Sequence, residues 1–208
     1  RFGWLGHPAP LQRAWDEAVR PNDVVIVAGD ISWATRTTEV LDDLAWLDAR
    51  PGKKVLLKGN HDYWWGDSTA KLKALFAPYQ SFVGFLQNSA VRAGPWLIAG
   101  SRLWTAPEAP KMSYGEMGDE PQKPEYIERE TRRLSLSIDD ANRQQAKHGA
   151  PLVKVAAVHF PPLYANATET AFSRTIEAWA PPICVYGHLH GPGIAAGFTG
   201  PRNGVRYV

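Results

Sequence analysis

The stretch Val55-Leu56-Leu57-Lys58-Gly59-Asn60-His61-Asp62 passes from apolar strand formers into a glycine turn and then into three polar side chains. Short apolar runs rich in β-branched residues and closed by turn residues read as buried strands. Here the strand stops on an amide oxygen, an imidazole and a carboxylate. Asn60 offers a metal a carbonyl oxygen, and His61 offers a proton donor or charge stabiliser. Asp62 is expected to accept the other imidazole proton and keep His61 oriented, as carboxylates behind metal-site histidines do. The plain structural alternative is a polar helix cap.

The same pattern recurs three times. Val24 to Ala28 ends in Gly29-Asp30, Val153 to Val158 ends in His159, and Ile183 to Tyr186 ends in Gly187-His188-Leu189-His190. Four of the chain's six histidines therefore sit at strand ends. Ligands of sheets with parallel strands bind outside the carboxyl ends of those strands. One Asp, one Asn and several His are thus expected at one edge, a set of oxygen and imidazole donors without thiolate. In extended backbone, residues i and i+2 face the same side, so His188 and His190 are expected to point into one cavity and Leu189 into the core. Taken singly, Gly29-Asp30 is an ordinary turn and His159 an ordinary buried histidine. Their common placement gives them weight.

Between these strands the chain alternates with helices. Helices are expected over Pro10 to Val19, over Thr38 to Ala49, and after a cap at Asp67 or Ser68. Short strands are expected over Gln80 to Phe85, Ala90 to Arg92 and Trp96 to Ala99. Thr105 to Pro124 carries four prolines after Ala106 and reads as a surface excursion. Pro124 to Gly149 reads as one amphipathic helix with Ile127, Leu134, Ile138 and Ala141 on its apolar face, Pro at its first turn and Gly at its stop. The pattern implies two packed sheets with helices outside, in one domain over residues 1–208 with an insertion at about 105–149.

Composition narrows the function. A net charge of +2 lacks the basic footprint of a dedicated nucleic-acid binder. The single cysteine, Cys184, excludes an internal disulfide and a thiolate zinc site, and its apolar surroundings make it a structural thiol. No segment approaches the ~20 apolar residues that span a bilayer, and no signal peptide is evident, so a cytoplasmic protein without a membrane partner is expected. Neither a G-x-S-x-G nor a P-loop signature occurs, which argues against a serine hydrolase or a P-loop enzyme. Oligomeric state is not legible.

In order and wording, the motifs GD, GNHD, VH and GHLH resemble the calcineurin-like metallophosphoesterase superfamily, with GDISWA and GNHDYWW wording similar to an uncharacterised bacterial branch. The resemblance implies a four-layer α/β/β/α sandwich of two mixed sheets. It also implies a hydrolase that cleaves a phosphodiester or phosphomonoester by attack of metal-bound hydroxide, with a small phosphate ester as substrate. Two divalent ions (Mn, Fe, Zn, Co or Ni) are implied. Asp30, Asn60, His159 and His188 would hold one, Asp30 and His190 would share the other, and His61 with Asp62 would be catalytic. The second ion also requires an Asp-x-His on an opening strand. None occurs upstream of Gly29, so either that strand lies in a piece absent from this sequence, the favoured reading, or the protein holds only one metal. The end of a C-terminal strand is likewise expected to be missing. Arg102, just past a strand, and Trp33 and Tyr63, just past two motifs, are candidate substrate contacts, although nine tryptophans make packing the ordinary reading for aromatics. The competing function is a degenerate member of the fold serving as a protein-binding scaffold.

Overall fold

The computed structural model describes residue 6, residues 8–110 and residues 123–208. The excursion expected from Thr105 to Pro124 therefore lies largely outside the described residues. Helix α1 (Pro8–Ala18) leads to strand β1 (Val24–Val27), and α2 (Leu41–Asp48) to β2 (Lys53–Leu57). Helix α3 (Thr69–Phe76) follows, capped by the Ser68 hydroxyl, which accepts from the Lys71 N–H. Then come β3 (Phe82–Leu86), β4 (Val91–Ala93), β5 (Trp96–Ala99), the long α4 (Pro124–His148) and β6 (Val153–Val158). Helix α5 (Ala171–Trp179), β7 (Ile183–Tyr186) and the hairpin of β8 (Gly200–Arg202) and β9 (Val205–Tyr207) complete the order.

The strands form two sheets. Among the described residues the smaller, in order β1-β2-β3, is parallel, where the resemblance implies a mixed sheet. The larger, in order β4-β5-β6-β7-β9-β8, is mixed, with parallel pairing from β5 through β9 and antiparallel hairpins at both edges. Parallel sheets need cover on both faces, and side-chain alternation shows how these obtain it. On β2, Val55 and Leu57 join Ile98, Val155 and Ala157 of the other sheet in a core between the sheets. Leu56, with the opposite orientation, packs with Leu44 and Leu47 of α2 and Leu72 and Phe76 of α3. On β6, Ala156 and Val158 turn outward to Leu134 and Ala141 of α4 and to Phe172 and Ile176 of α5. The layers run helix, sheet, sheet, helix.

Helix α4 begins on Pro124 and stops at Gly149, which takes the left-handed conformation at φ 76°. Of its expected apolar stripe, Leu134, Ile138 and Ala141 are buried and Ile127 packs at the margin. Cys184 is fully buried in the same core, and burial pushes its thiol well above the ordinary range. No helix among the described residues is long and apolar enough to cross a membrane.

Candidate metal centre

The parallel strands β1, β2, β6 and β7 all deliver their carboxyl ends to one edge, and the four motifs meet there. Asn60 Oδ1 lies 2.7 Å from His159 Nε2 and 3.0 Å from His188 Nδ1. Asp30 Oδ2 lies 3.5 Å from His159 Nε2. Candidate ligand atoms of Asp30, His159 and His188 fall within 4.8 Å of one another. The structure thus brings together Asp30, Asn60, His159 and His188 from four different strand ends.

The protonation pattern of this cluster suits a cation. His159 Nδ1 lies 2.7 Å from the Ala28 carbonyl, which can only accept, so Nδ1 carries the proton. Burial holds His159 below the ordinary histidine range against the pull of Asp30, leaving Nε2 as a lone pair. That lone pair faces the amide oxygen of Asn60 and the carboxylate of Asp30. His188 is pushed down to about 3, first by burial and then by His159, His190 and His61. Neutral imidazoles, an amide oxygen and a carboxylate converging on one point are the nitrogen and oxygen donor atoms that a divalent ion takes.

Backbone conformation contributes to this convergence. Gly29 has φ 93°, and a Cβ there would lie 2.6 Å from His159 Nδ1. Asp30 and His188 are themselves left-handed, at φ 56° and 68°. Such backbone in non-glycine residues is uncommon, costs of order 1–3 kcal/mol and clusters at functional sites. The expected extended run through the His-x-His pair is accordingly wrong at His188, while His190 is extended at φ −141°. Leu189 is half-buried. His190 is not among the three clustered ligand residues, although it is close enough to His188 to depress its pKa.

Asp62 does something other than orient His61. Its carboxylate is fully buried and accepts from the N–H groups of Ile31, Ser32 and Trp64 Nε1 on one oxygen, and of Asp30 and Gly59 on the other. It ties the Asp30 loop to the Asn60 loop. Burial raises its pKa against the pull of these donors. Beside His61 stands Tyr63 instead, its hydroxyl 3.2 Å from His61 Nδ1. Trp33 stacks on the imidazole at 4.2 Å and 12°. Nothing in the GNHD motif foretells either contact, because it depends on how two loops are folded against each other.

Arg102 reaches Glu130 at 3.5 Å and lies over the Trp104 ring, with burial lowering its pKa. It is close enough to His159 to act on it electrostatically, but its guanidinium is engaged by Glu130, which also receives Arg129 and Arg133. Trp64 and Trp65, only 3% and 1% exposed, are core residues, whereas Trp33 and Tyr63 are 56% and 58% exposed.

The glycine of the central motif yields a direct test. A Cβ on Gly59 would lie 2.1 Å from Asp30 Oδ1 and 2.2 Å from the Asp30 nitrogen. Gly59→Ala is expected to displace Asp30 and weaken Mn²⁺ binding by about tenfold or more, with an unchanged circular dichroism spectrum. A titration isotherm equal to wild type would contradict the assignment of Asp30.

A calcineurin-like phosphoesterase family model matches residues 4–192. The chain belongs to this family. Its members in general hydrolyse phosphate esters with divalent metals. Segments similar to the chain occur in the Gene 66 protein of Mycobacterium phage D29, 49% identical over 61 residues, and that of phage L5, 45% identical over 56 residues. These matches cover 28% and 27% of this chain, and only 30% and 27% of the phage proteins. A solved crystal structure aligns over 94% of this chain and 84% of its own length, with a TM-score of 0.51 and 14% identity. That likeness concerns the fold alone.

Proposed function

We propose that the chain is a metal-dependent hydrolase of phosphomonoesters or phosphodiesters, acting at the edge where Asp30, Asn60, His159 and His188 converge. The observation that carries the reading is the contact of Asn60 Oδ1 with both imidazoles while His159 Nδ1 is committed to the Ala28 carbonyl. These four residues would hold one divalent ion, and its charge would supply Lewis-acid stabilisation of phosphoryl oxygens and a more acidic water. Asp30 and His190 are the donors we assign to a neighbouring ion. The proximity of His190 to His188 supports this assignment.

The chain's own groups do the rest. His61 stands beside the ligand histidines, close enough to lower the pKa of both, and is placed to give a proton to the departing ester oxygen. Asp62 holds the two ligand loops in register. Arg102 lies near the cluster, and its field favours the approach of an anionic phosphate. A scaffold with no chemistry would have little need of this complete donor set.

The test is hydrolysis of p-nitrophenyl phosphate and bis-p-nitrophenyl phosphate by the full-length protein with Mn²⁺. Turnover of at least one ester is expected, and on the corresponding phenyl ester, whose leaving oxygen needs a proton, His61→Ala is expected to be slower by about 10²-fold or more. No turnover of either ester, or His61→Ala equal to wild type on the phenyl ester, would overturn the proposal.

A further inference from the structure

Asp62, the carboxylate expected behind His61, is occupied by five N–H donors of the loop framework. His61 must therefore owe its position to something else. Its ring is stacked nearly parallel on Trp33, at 4.2 Å and 12°. Tyr63 stands edge-on to it, with ring centroids 6.0 Å apart, and its hydroxyl lies 3.2 Å from Nδ1. With one ring face and Nδ1 engaged, Nε2 is the nitrogen left for a reacting group.

Both aromatics are more than half exposed, so burial does not account for them. Each lies three residues past a metal-ligand candidate, Trp33 past Asp30 and Tyr63 past Asn60. The loops that carry them are tied together by Asp62, and the Tyr63 loop is anchored from below. Trp64 Nε1 donates to Asp62, and Trp65 Nε1 donates to Gln87 Oε1 at 2.6 Å. A rigid base thus holds two surface aromatics against one imidazole.

The geometry points to Trp33 and Tyr63 as positioning residues that aim His61 Nε2 at the ester oxygen of the substrate, an inference that rests on the hydrolase reading above. In the step they serve, a water oxygen forms the new bond to phosphorus and releases a proton to solvent. The bond to the ester oxygen breaks, its electron pair stays on that oxygen, and the oxygen takes the Nε2 proton. The alcohol leaves neutral, and His61 is reprotonated from solvent. Poor leaving groups need that proton most. Misaiming His61 should therefore harm phenyl esters more than p-nitrophenyl esters, whose anion leaves unaided.

The test compares the wild type with Trp33→Leu, Tyr63→Phe and Trp33→Phe, in the full-length protein with Mn²⁺. The substrates are p-nitrophenyl and phenyl phosphate, together with the corresponding diesters. For Trp33→Leu and Tyr63→Phe, kcat on the phenyl ester is expected to fall about tenfold or more, with p-nitrophenyl turnover within about threefold of wild type and KM little changed. Trp33→Phe, which can still stack, should recover most of the loss. Independently of turnover, the His61 ring protons in the NMR spectrum of the metal-free protein should shift downfield in Trp33→Leu as the indole ring current is removed. Equal losses on both esters, a raised KM with unchanged kcat, or ring protons that do not move would overturn the inference while leaving the hydrolase reading in place. A wild type without turnover of any ester overturns both.

Discussion

Asp62→Ala is expected to lower the melting temperature of the metal-free protein by roughly 10 °C or more and to abolish Mn²⁺ binding. The carboxylate is fully buried and receives N–H groups from Asp30, Ile31, Ser32, Gly59 and Trp64. Removing it leaves those donors without a partner in a dry environment, and each orphaned group costs about 1–3 kcal/mol. The terms do not simply add, since water can enter the space. Even so, several kcal/mol is a large share of the ~5–15 kcal/mol by which domains are stable. Asp62→Asn should fall between, because its amide oxygen still accepts while its NH₂ opposes other donors. Thermal unfolding with and without Mn²⁺ checks this, and a variant melting within about 2 °C of wild type would contradict the bracing role.

His188→Ala should behave in the opposite way. Its imidazole contributes a ligand nitrogen rather than a brace, and its burial already disfavours the charged form. The metal-free protein should therefore melt close to wild type. Mn²⁺ affinity should fall by at least about 100-fold, since losing even an outer partner of a ligand costs 10–100-fold. Metal-dependent turnover should fall with it. Isothermal titration beside a melting curve separates the two variants: Asp62→Ala loses stability and metal together, His188→Ala loses metal alone. A wild-type isotherm for His188→Ala would remove that residue from the site.

Much of this arrangement was legible in the sequence because it rests on local rules. The runs ending at Asp30, Asn60, His159 and His188 are strands, and parallel pairing carries their ends to one edge. Pro124 and Gly149 bound α4 as their backbone preferences require. What failed depends on tertiary contact or on weaker local signals. Helix α5 carries a weak signal, because its nine residues start from a Thr170–Ser173 capping box without the Glu or Gln that usually completes that motif. The left-handed turn at His188 was hidden, since residues other than glycine seldom adopt it. Adjacency in sequence pairs Asp62 with His61, whereas the fold gives the carboxylate to N–H groups some thirty residues away and leaves Tyr63 and Trp33 beside the imidazole.

The central claim is that four strand ends build one metal site. Diffraction from crystals grown with Mn²⁺, measured at the manganese absorption edge, tests it most directly. An anomalous peak is predicted within bonding distance of Asp30, Asn60, His159 and His188, in the space where their acceptors now face one another. A protein that is active with Mn²⁺ but shows no peak there, or a peak coordinated by other residues, would contradict it.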